Sequence, residues 1–158
     1  MPPTTESNRR EIIIRAAVEP DAAALASITT EIGYPIDEST TRERLRELTE
    51  SGDLMLVAAD ASAATDSADT IIGFILLHRT RFLHRPPDGR ISTLGVTAQR
   101  RNEYIGEQLV RAAEQIFREW GCTRVEVTSG AARTDAHRFY ERFGYVEQPK
   151  RFIKLLTD

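Results

Sequence analysis

The chain has 158 residues, of which 41% are hydrophobic and 28% are charged. This length fits one domain, and the apolar content excludes disorder over most of it. The 21 basic and 24 acidic residues leave a net charge of −3, which argues against a broad nucleic-acid-binding surface. The single cysteine, Cys122, excludes an internal disulfide and a cysteine-based zinc site.

Neither the start of the chain nor its apolar stretches predict a membrane or secretion signal. The polar, proline-containing residues 1–10 lack the apolar region of a signal peptide. The longest apolar stretch, 71–77, is far below the roughly 20 residues of a membrane helix. We therefore expect residues 1–10 to be a disordered tail and residues 11–158 to form a single domain. We also expect a cytoplasmic protein with no membrane partner, no nucleic-acid partner and no metal.

The apolar and turn residues predict the element order β-α-α-β-β-β-α-β-α-β-β, which is typical of one mixed α/β domain. Asp21 is the expected N-cap of the first helix, and Thr40 with Glu43 has capping-box spacing in the second. The predicted elements are strand Ile12–Val18, helix Ala22–Ile32, a helix ending near Glu50, strand Leu54–Ala59, a polar loop Asp60–Asp69, strands Thr70–Arg79 and Arg90–Val96, helix Ile105–Trp120, strand Arg124–Thr128, a helix from Thr134 or Asp135 to Phe143, and strands Val146–Gln148 and Arg151–Leu156.

The segment Leu94–Gly106 has the composition of an anion-binding loop. A strand ends, a short polar loop follows, and a strongly amphipathic helix begins. The backbone N–H groups of such a loop and the helix N-terminus suit a pyrophosphate, and Arg100 and Arg101 would add charge-assisted contacts. The alternative is an ordinary strand–helix turn with two solvated arginines.

A second segment, residues 137–145, carries a helix with an aromatic face. Phe139 and Phe143 lie four residues apart and are expected to be core. Tyr140 lies beside them, so its ring can pack while its hydroxyl reaches a cleft. The alternative is a core tyrosine whose hydroxyl is satisfied internally.

From Ile12 to Leu156 the chain resembles the GNAT superfamily of N-acetyltransferases. The stretch from Val96 to Leu109 aligns without gaps on the family's acetyl-CoA loop, Gln/Arg-x-x-Gly-x-Gly/Ala, and residues 136–145 are similar to its late helix. The resemblance implies a GNAT-type mixed α/β fold, with a central mixed sheet of about six to seven strands flanked by about four helices.

The resemblance also implies an enzyme, an acetyl-CoA-dependent N-acetyltransferase. It would move an acetyl group to a primary amine of a small molecule or peptide by direct attack in a ternary complex. Acetyl-CoA would lie between the strand ending at Val96 and the strand Arg124–Thr128, and Tyr140 would protonate the departing thiolate. The implied cofactor-binding residues are Leu94, Gly95, Val96, Arg100, Arg101, Asn102, Tyr104, Ile105 and Gly106.

One departure from the family pattern concerns the phosphate loop. Tyr104 stands at the first glycine of the Gly-x-Gly pair, and Asn102 stands where glycine is also common. A tyrosine held in the left-handed conformation costs on the order of 1–2 kcal/mol. This departure keeps a second hypothesis open, a catalytically impaired acyl-CoA sensor or interaction module that could form a homodimer.

The sequence does not identify a general base. Glu126 could face the cleft and His137 could line it, but a solvated or surface position suits either residue. His78 has no metal-type spacing and receives no ligand role. Ser129 and Arg133 could touch substrate or CoA, or could serve in a turn or cap.

The acceptor site is expected to involve two variable segments, residues 33–51 and the connection 81–89. Glu31, Asp37 and Glu38 give the first an acidic character, which favours a cationic amine. Acidic residues near a helix start are common without any functional reason.

Overall fold

The computed structural model describes residues 11–61, 70–128, 134–148 and 150–157. Within these ranges a five-stranded mixed sheet and four α-helices confirm the predicted mixed α/β fold class. The predicted tail, most of the predicted loop Asp60–Asp69, and Ser129 and Arg133 lie outside the described residues. The strands are Ile12–Ala16 (β1), Leu54–Asp60 (β2), Thr70–Thr80 (β3), Asp88–Val96 (β4) and Arg124–Val127 (β5), and the helices are Ala22–Glu31 (α1), Glu38–Glu50 (α2), Ile105–Glu119 (α3) and Thr134–Arg142 (α4).

The described sheet has fewer strands than the predicted six to seven. Residues 146–148 and 150–157, predicted to hold strands Val146–Gln148 and Arg151–Leu156, carry no strand. A strand exists only where a partner completes its hydrogen-bond ladder, and apolar alternation cannot supply that partner. Phe152 and Leu156 are accordingly 90% and 91% exposed.

Strand pairing follows chain order, from β1 to β5. All neighbours are antiparallel except β4 and β5, which are parallel. The β3–β4 ladder runs from Thr80↔Asp88 to Gly73↔Val96. The β4–β5 ladder covers only Asp88↔Arg124 to Ile91↔Val127.

The two faces of the sheet carry different helices. Successive side chains on a strand point to opposite faces. On β3, Phe74 packs with Leu25, Ile28 and Leu45 of α1 and α2. A Cβ built on the preceding residue, Gly73, would instead approach α3. Helices α1 and α2 therefore cover one face, and α3 covers the other.

The two early helices differ in how well their predicted caps hold. Asp21 is the N-cap residue of α1, as predicted. Its side chain makes no cap hydrogen bond, because the carboxylate accepts two bonds from the Arg15 guanidinium, at 2.8 and 3.0 Å, and one from Val18 N. For α2 the predicted cap Thr40 is wrong: the N-cap is Asp37, whose carboxylate accepts from Thr40 N at 2.7 Å.

The described residues divide into two compact units, with the boundary between Val127 and Thr128. The first contains the whole sheet and helices α1 to α3, and the second contains α4. The expectation of a single domain over residues 11–158 stays a prediction. No helix in the described part of the chain is long and apolar enough to cross a membrane.

Helix α3 packs on β4 through a contact that leaves no room for a methyl group. A Cβ built on Gly89 would lie 2.4 Å from Cγ of Phe117, whose side chain is fully buried. Overpacking a dense core costs typically 1–3 kcal/mol. We expect Gly89→Ala to lower the free energy of unfolding by about 2 kcal/mol, or Tm by roughly 4–8 °C, in a thermal melt.

The double variant Gly89→Ala/Phe117→Leu provides the matched control. The smaller leucine should return part of the lost Tm if the aromatic ring is the obstacle. A Gly89→Ala protein that melts at the wild-type temperature would show that α3 does not pack here as described.

Candidate active site

Strand β4 pairs with β3 along one edge and with β5 along the other, and the edge toward β5 is unpaired over the last five residues of β4. Pairing with β5 ends at Ile91, whereas pairing with β3 continues to Val96. Among the described residues, no strand pairs with this free edge at residues 92–96. The edge includes Leu94, Gly95 and Val96, which the sequence resemblance predicts to bind the cofactor. An open strand edge presents backbone N–H and C=O groups to an extended ligand.

Gly95 holds this edge close to α1. A Cβ built on it would lie 3.0 Å from Cε1 of Phe74 and 3.2 Å from Cγ2 of Ile28. Leu94 and Val96 on either side are partly buried. The main chain of residues 94–96 is thus held in place by its packing against Phe74 and helix α1.

The loop after β4 contains two residues with left-handed backbone. A short 3-10 turn, Ala98–Arg100, is followed by Asn102 at φ 69° and Tyr104 at φ 62°. Asparagine tolerates this region, but for tyrosine it costs about 1–2 kcal/mol. The ring of Tyr104 is 74% exposed, so side-chain burial does not offset the cost.

The left-handed residues turn a row of amides outward at the start of α3. Tyr104 is the N-cap of α3 and supplies no side-chain cap. Within the described ranges, the N–H groups of Arg101, Asn102, Tyr104, Ile105 and Gly106 have no hydrogen-bond acceptor. The side chain of Ile105 is buried, so only its backbone N–H group is available to a ligand. Free amides and the positive end of a helix dipole favour an anion.

The two predicted phosphate-binding arginines have different surroundings. Arg101 is exposed, its Nε donates to the Val96 carbonyl at 3.4 Å, and no carboxylate pairs with it in the described structure. Arg100 is held instead by Glu103 and by the buried Asp60, 2.7 Å from its Nη1. These hydrogen bonds, with Glu103 first, raise the pKa of the Arg100 guanidinium.

The ion pairs with Asp60 and Glu103 use the Nη1 and Nε donors of Arg100, which leaves few donors for a ligand. The remaining donor atom, Nη2, is buried and has no hydrogen-bond partner in the described part. The sequence does not predict Asp60 as a partner of Arg100, because the two residues are 40 positions apart and Asp60 begins a predicted polar loop. An acidic residue that directly continues the apolar run of β2 could have indicated a buried ion pair, since buried charges need a partner.

The acidic residues considered as a general base or as acceptor-binding groups already have partners in the structure. Glu126 on β5 pairs with Arg90 on β4 at 2.9 Å. Among the acidic front residues, Glu31 accepts from the Thr97 hydroxyl and Glu38 pairs with Arg42. These acids have structural partners, which weakens the argument for a cationic acceptor.

Helix α4 carries Tyr140 within an aromatic cluster of the second unit. The Tyr140 ring contacts Phe139 at 5.2 Å and Tyr145 at 5.6 Å, measured between ring centroids. Gly144, at φ 85°, ends the helix, and Tyr145 N donates to the Tyr140 carbonyl at 3.1 Å. Tyr140 is partly buried, which agrees with a packed ring, and the role of its hydroxyl stays a prediction.

The lone cysteine is not an activated nucleophile. Burial raises the pKa of the Cys122 thiol, so it stays protonated near neutral pH. Across the described ranges, no group of three or more His, Cys, Asp and Glu side chains is placed to hold a metal ion.

The open β4 edge and the outward amides fit the chemistry of CoA. Its pantetheine arm carries amide groups that can pair with a strand edge, and its pyrophosphate is an anion suited to amides at a helix start. The two features adjoin along the chain, from residue 92 to residue 106. The donor set therefore matches the ligand that the sequence resemblance implied.

Comparisons with known proteins show the family. Residues 22–145 match the model of the acetyltransferase (GNAT) family. The chain belongs to this family, which confirms the resemblance seen in the sequence. The family match spans both compact units.

Individual relatives agree with that assignment. The aminoalkylphosphonate N-acetyltransferase of Salmonella typhimurium is 39% identical over 87 residues, which is 54% of this chain and 56% of that protein. The match thus spans about half the length of that relative.

Solved structures show the same fold. A transcriptional regulator from Bacillus halodurans superposes with a TM-score of 0.78 at 21% identity, over 92% of this chain and all of that one. An aminoglycoside N-acetyltransferase in complex with CoA superposes with a TM-score of 0.76 at 13% identity, over 92% and 94% of the two chains.

The strained residue Tyr104 yields a prediction about stability. Glycine adopts the left-handed region freely, so Tyr104→Gly should remove the backbone cost. We expect a gain of about 1 kcal/mol in the free energy of unfolding, or roughly 2–4 °C in Tm, measured by calorimetry. Tyr104→Ala removes the ring but keeps the strain, so it should show no such gain. A lower Tm for Tyr104→Gly than for Tyr104→Ala would contradict the left-handed assignment.

Proposed function

We propose that this protein transfers the acetyl group of acetyl-CoA to a primary amine of a small molecule or peptide. The transfer proceeds by direct attack of the amine in a ternary complex. The observation that carries the proposal is the open β4 edge, at residues 92–96, leading directly into the outward amides of residues 101–106. Family membership supports the same activity.

In this proposal the main chain of Leu94, Gly95 and Val96 pairs with the pantetheine arm. The arm takes the place that a strand would occupy beside β4, because β5 ends at Val127, opposite Ile91. The packing under Gly95 keeps this edge in place before the ligand arrives. A fixed edge reduces the entropy lost on binding.

The pyrophosphate is held by backbone amides and by one arginine. The amides of Arg101, Asn102, Tyr104, Ile105 and Gly106 supply the donors, and the α3 dipole adds favourable potential. The Arg101 guanidinium supplies the charge. Arg100 fixes the loop through Asp60 and Glu103 and contributes to binding through that position.

Direct attack is supported by the state of the single cysteine. An acyl-enzyme on a cysteine needs an activated thiol, and burial raises the pKa of the Cys122 thiol. Tyr140 is the proposed acid that protonates the leaving thiolate. Its phenol, with a usual pKa near 10, is suited to a thiol of about 8.5.

The relative suggests where an acceptor search should begin. The Salmonella protein is named for aminoalkylphosphonates, whose acceptor group is an amine. We propose aminoalkylphosphonates as the first acceptors to try, followed by polyamines and neutral amines. The hydrogen bond of Glu31 to Thr97 and the ion pair of Glu38 with Arg42 give no reason to rank cationic amines first.

The cofactor site can be tested by thermal unfolding. At 100 times Kd, one-site binding adds about 2.7 kcal/mol, so acetyl-CoA should raise the wild-type Tm by roughly 5–11 °C. Arg101→Ala removes a charge-assisted contact, so its Kd should rise about tenfold or more and the shift should shrink.

Arg118→Ala is the matched control, because Arg118 is an exposed arginine in the last turn of α3. This variant should keep the full wild-type shift. An undiminished shift in Arg101→Ala would remove that side chain from the site, and no shift in the wild type at millimolar acetyl-CoA would contradict the proposal itself.

The role of Tyr140 is tested by steady-state kinetics. General acid catalysis contributes typically 10²–10⁴-fold, so Tyr140→Phe should lower kcat by about 100-fold or more. The KM for acetyl-CoA should change little, because the phenyl ring remains. Tyr145→Phe, from the same aromatic cluster, is the control and should retain kcat. Wild-type kcat in Tyr140→Phe would exclude this tyrosine as the acid.

A further inference from the structure

Three strands of the sheet bring an aspartate, a histidine and a serine into one hydrogen-bonded array. Asp53 directly precedes β2, His78 lies on β3, and Ser92 lies on β4. The His78 Nδ1 is 3.0 Å from an Asp53 carboxylate oxygen, and its Nε2 is 2.6 Å from Ser92 Oγ. The sequence alone does not predict this array, because the partners of His78 lie 25 and 14 residues away from it.

When the His78 ring is neutral, the chemistry of Asp53 sets the direction of both hydrogen bonds. An ionised carboxylate can only accept, so His78 donates its Nδ1–H to Asp53. In the neutral ring this leaves a lone pair on Nε2, which accepts the Ser92 hydroxyl proton. The array is thus set to draw a proton from the serine oxygen toward the imidazole.

The array lies where the sheet opens. In the β3–β4 ladder Leu76 faces Thr93 and Leu77 faces Ile91, so Ser92 is an extra residue on β4, a β-bulge. Pairing between β4 and β5 ends at the neighbouring Ile91. Bulges are common beside active sites, because they redirect a side chain. Here the bulge turns Ser92 toward His78.

The array is accessible from the sheet face opposite α3. His78 is four residues after Phe74 on β3, so both point to the face that carries α1 and α2. The side chains of His78 and Asp53 are 25% and 22% exposed, and Ser92 is exposed. A substrate can therefore reach the Ser92 hydroxyl.

The neighbouring charged groups on this face are already paired. Arg90, opposite His78 in the β3–β4 ladder, binds Glu126 of β5 at 2.9 Å. The Glu126 carboxylate is thus occupied by an arginine, whereas the Nε2 lone pair of a neutral His78 is offered to Ser92.

We propose that Asp53, His78 and Ser92 form the proton-accepting relay for the acceptor amine. The inference rests on the proposed acetyl transfer and adds its missing base. Ser92 Oγ receives a proton from the attacking amine while its own proton passes to His78 Nε2, and Asp53 stabilises the resulting imidazolium. The new N–C bond forms as the C–S bond breaks, and the sulfur takes its proton from the proposed acid, Tyr140.

The experiment compares His78→Gln, Ser92→Ala and Asp53→Asn with the wild type and with the control Arg118→Ala, an exposed arginine of α3 outside the array. Acetyl transfer to an amine accepted by the wild type is measured together with the acetyl-CoA thermal shift. His78→Gln should lower kcat by about 100-fold or more. Ser92→Ala and Asp53→Asn should lower kcat as well, while all variants keep the thermal shift. Added imidazole should restore part of the kcat of His78→Ala.

Two further readouts do not depend on turnover. Nitrogen NMR of the free wild-type protein should show His78 with its proton on Nδ1, and Asp53→Asn should lose that preference. Mass spectrometry after acetyl-CoA is added without an amine should show no acetyl group on Ser92, because the serine relays a proton and is not acylated.

The outcomes separate this inference from the proposed function. A wild type that binds no acetyl-CoA and acetylates no amine would overturn both. An active wild type with undiminished kcat in His78→Gln would overturn the relay alone. Acetylated Ser92 would also overturn it, since the serine would then be a nucleophile.

Discussion

The ion pair between Asp60 and Arg100 sets the geometry on which the candidate site depends. Asp60 ends β2 as a buried carboxylate, and Arg100 follows β4, so their contact ties the start of the loop between β4 and α3 to the sheet. A loop with left-handed Asn102 and Tyr104 persists only when its surroundings over-determine it. With Glu103 on its other side, Arg100 supplies that constraint and orients the amides at the start of α3.

A second constraint acts on the sheet itself. Strand β5 ends at Val127, opposite Ile91, and the bulge in the β3–β4 ladder falls at the neighbouring Ser92. The end of β5 leaves one edge of β4 unpaired over residues 92–96, and the bulge turns the Ser92 hydroxyl toward His78. The proposed cofactor edge and the proposed proton relay therefore adjoin on β4.

Local patterns predicted the parts of this structure that local physics decides. The apolar stripe of Ile105, Leu109 and Ala113 predicts α3, which the structure confirms, whereas the anion site in the polar loop before it stays a prediction. Partners distant in sequence were not predictable: Asp60 for Arg100, or Asp53 and Ser92 for His78. The register of β3 and β4 depends on a bulge that the alternation of apolar and polar residues does not reveal. The two predicted C-terminal strands are wrong, because no strand pairs with them in the described chain.

Amide hydrogen exchange with and without acetyl-CoA would measure the proposed ligand contacts residue by residue. We expect slowed exchange at residues 101–106 and along the open β4 edge at 92–96, with no comparable change at the paired residues of β1 and β2. Saturating acetyl-CoA that leaves residues 92–106 unprotected, or protects another surface instead, would contradict the proposed cofactor site.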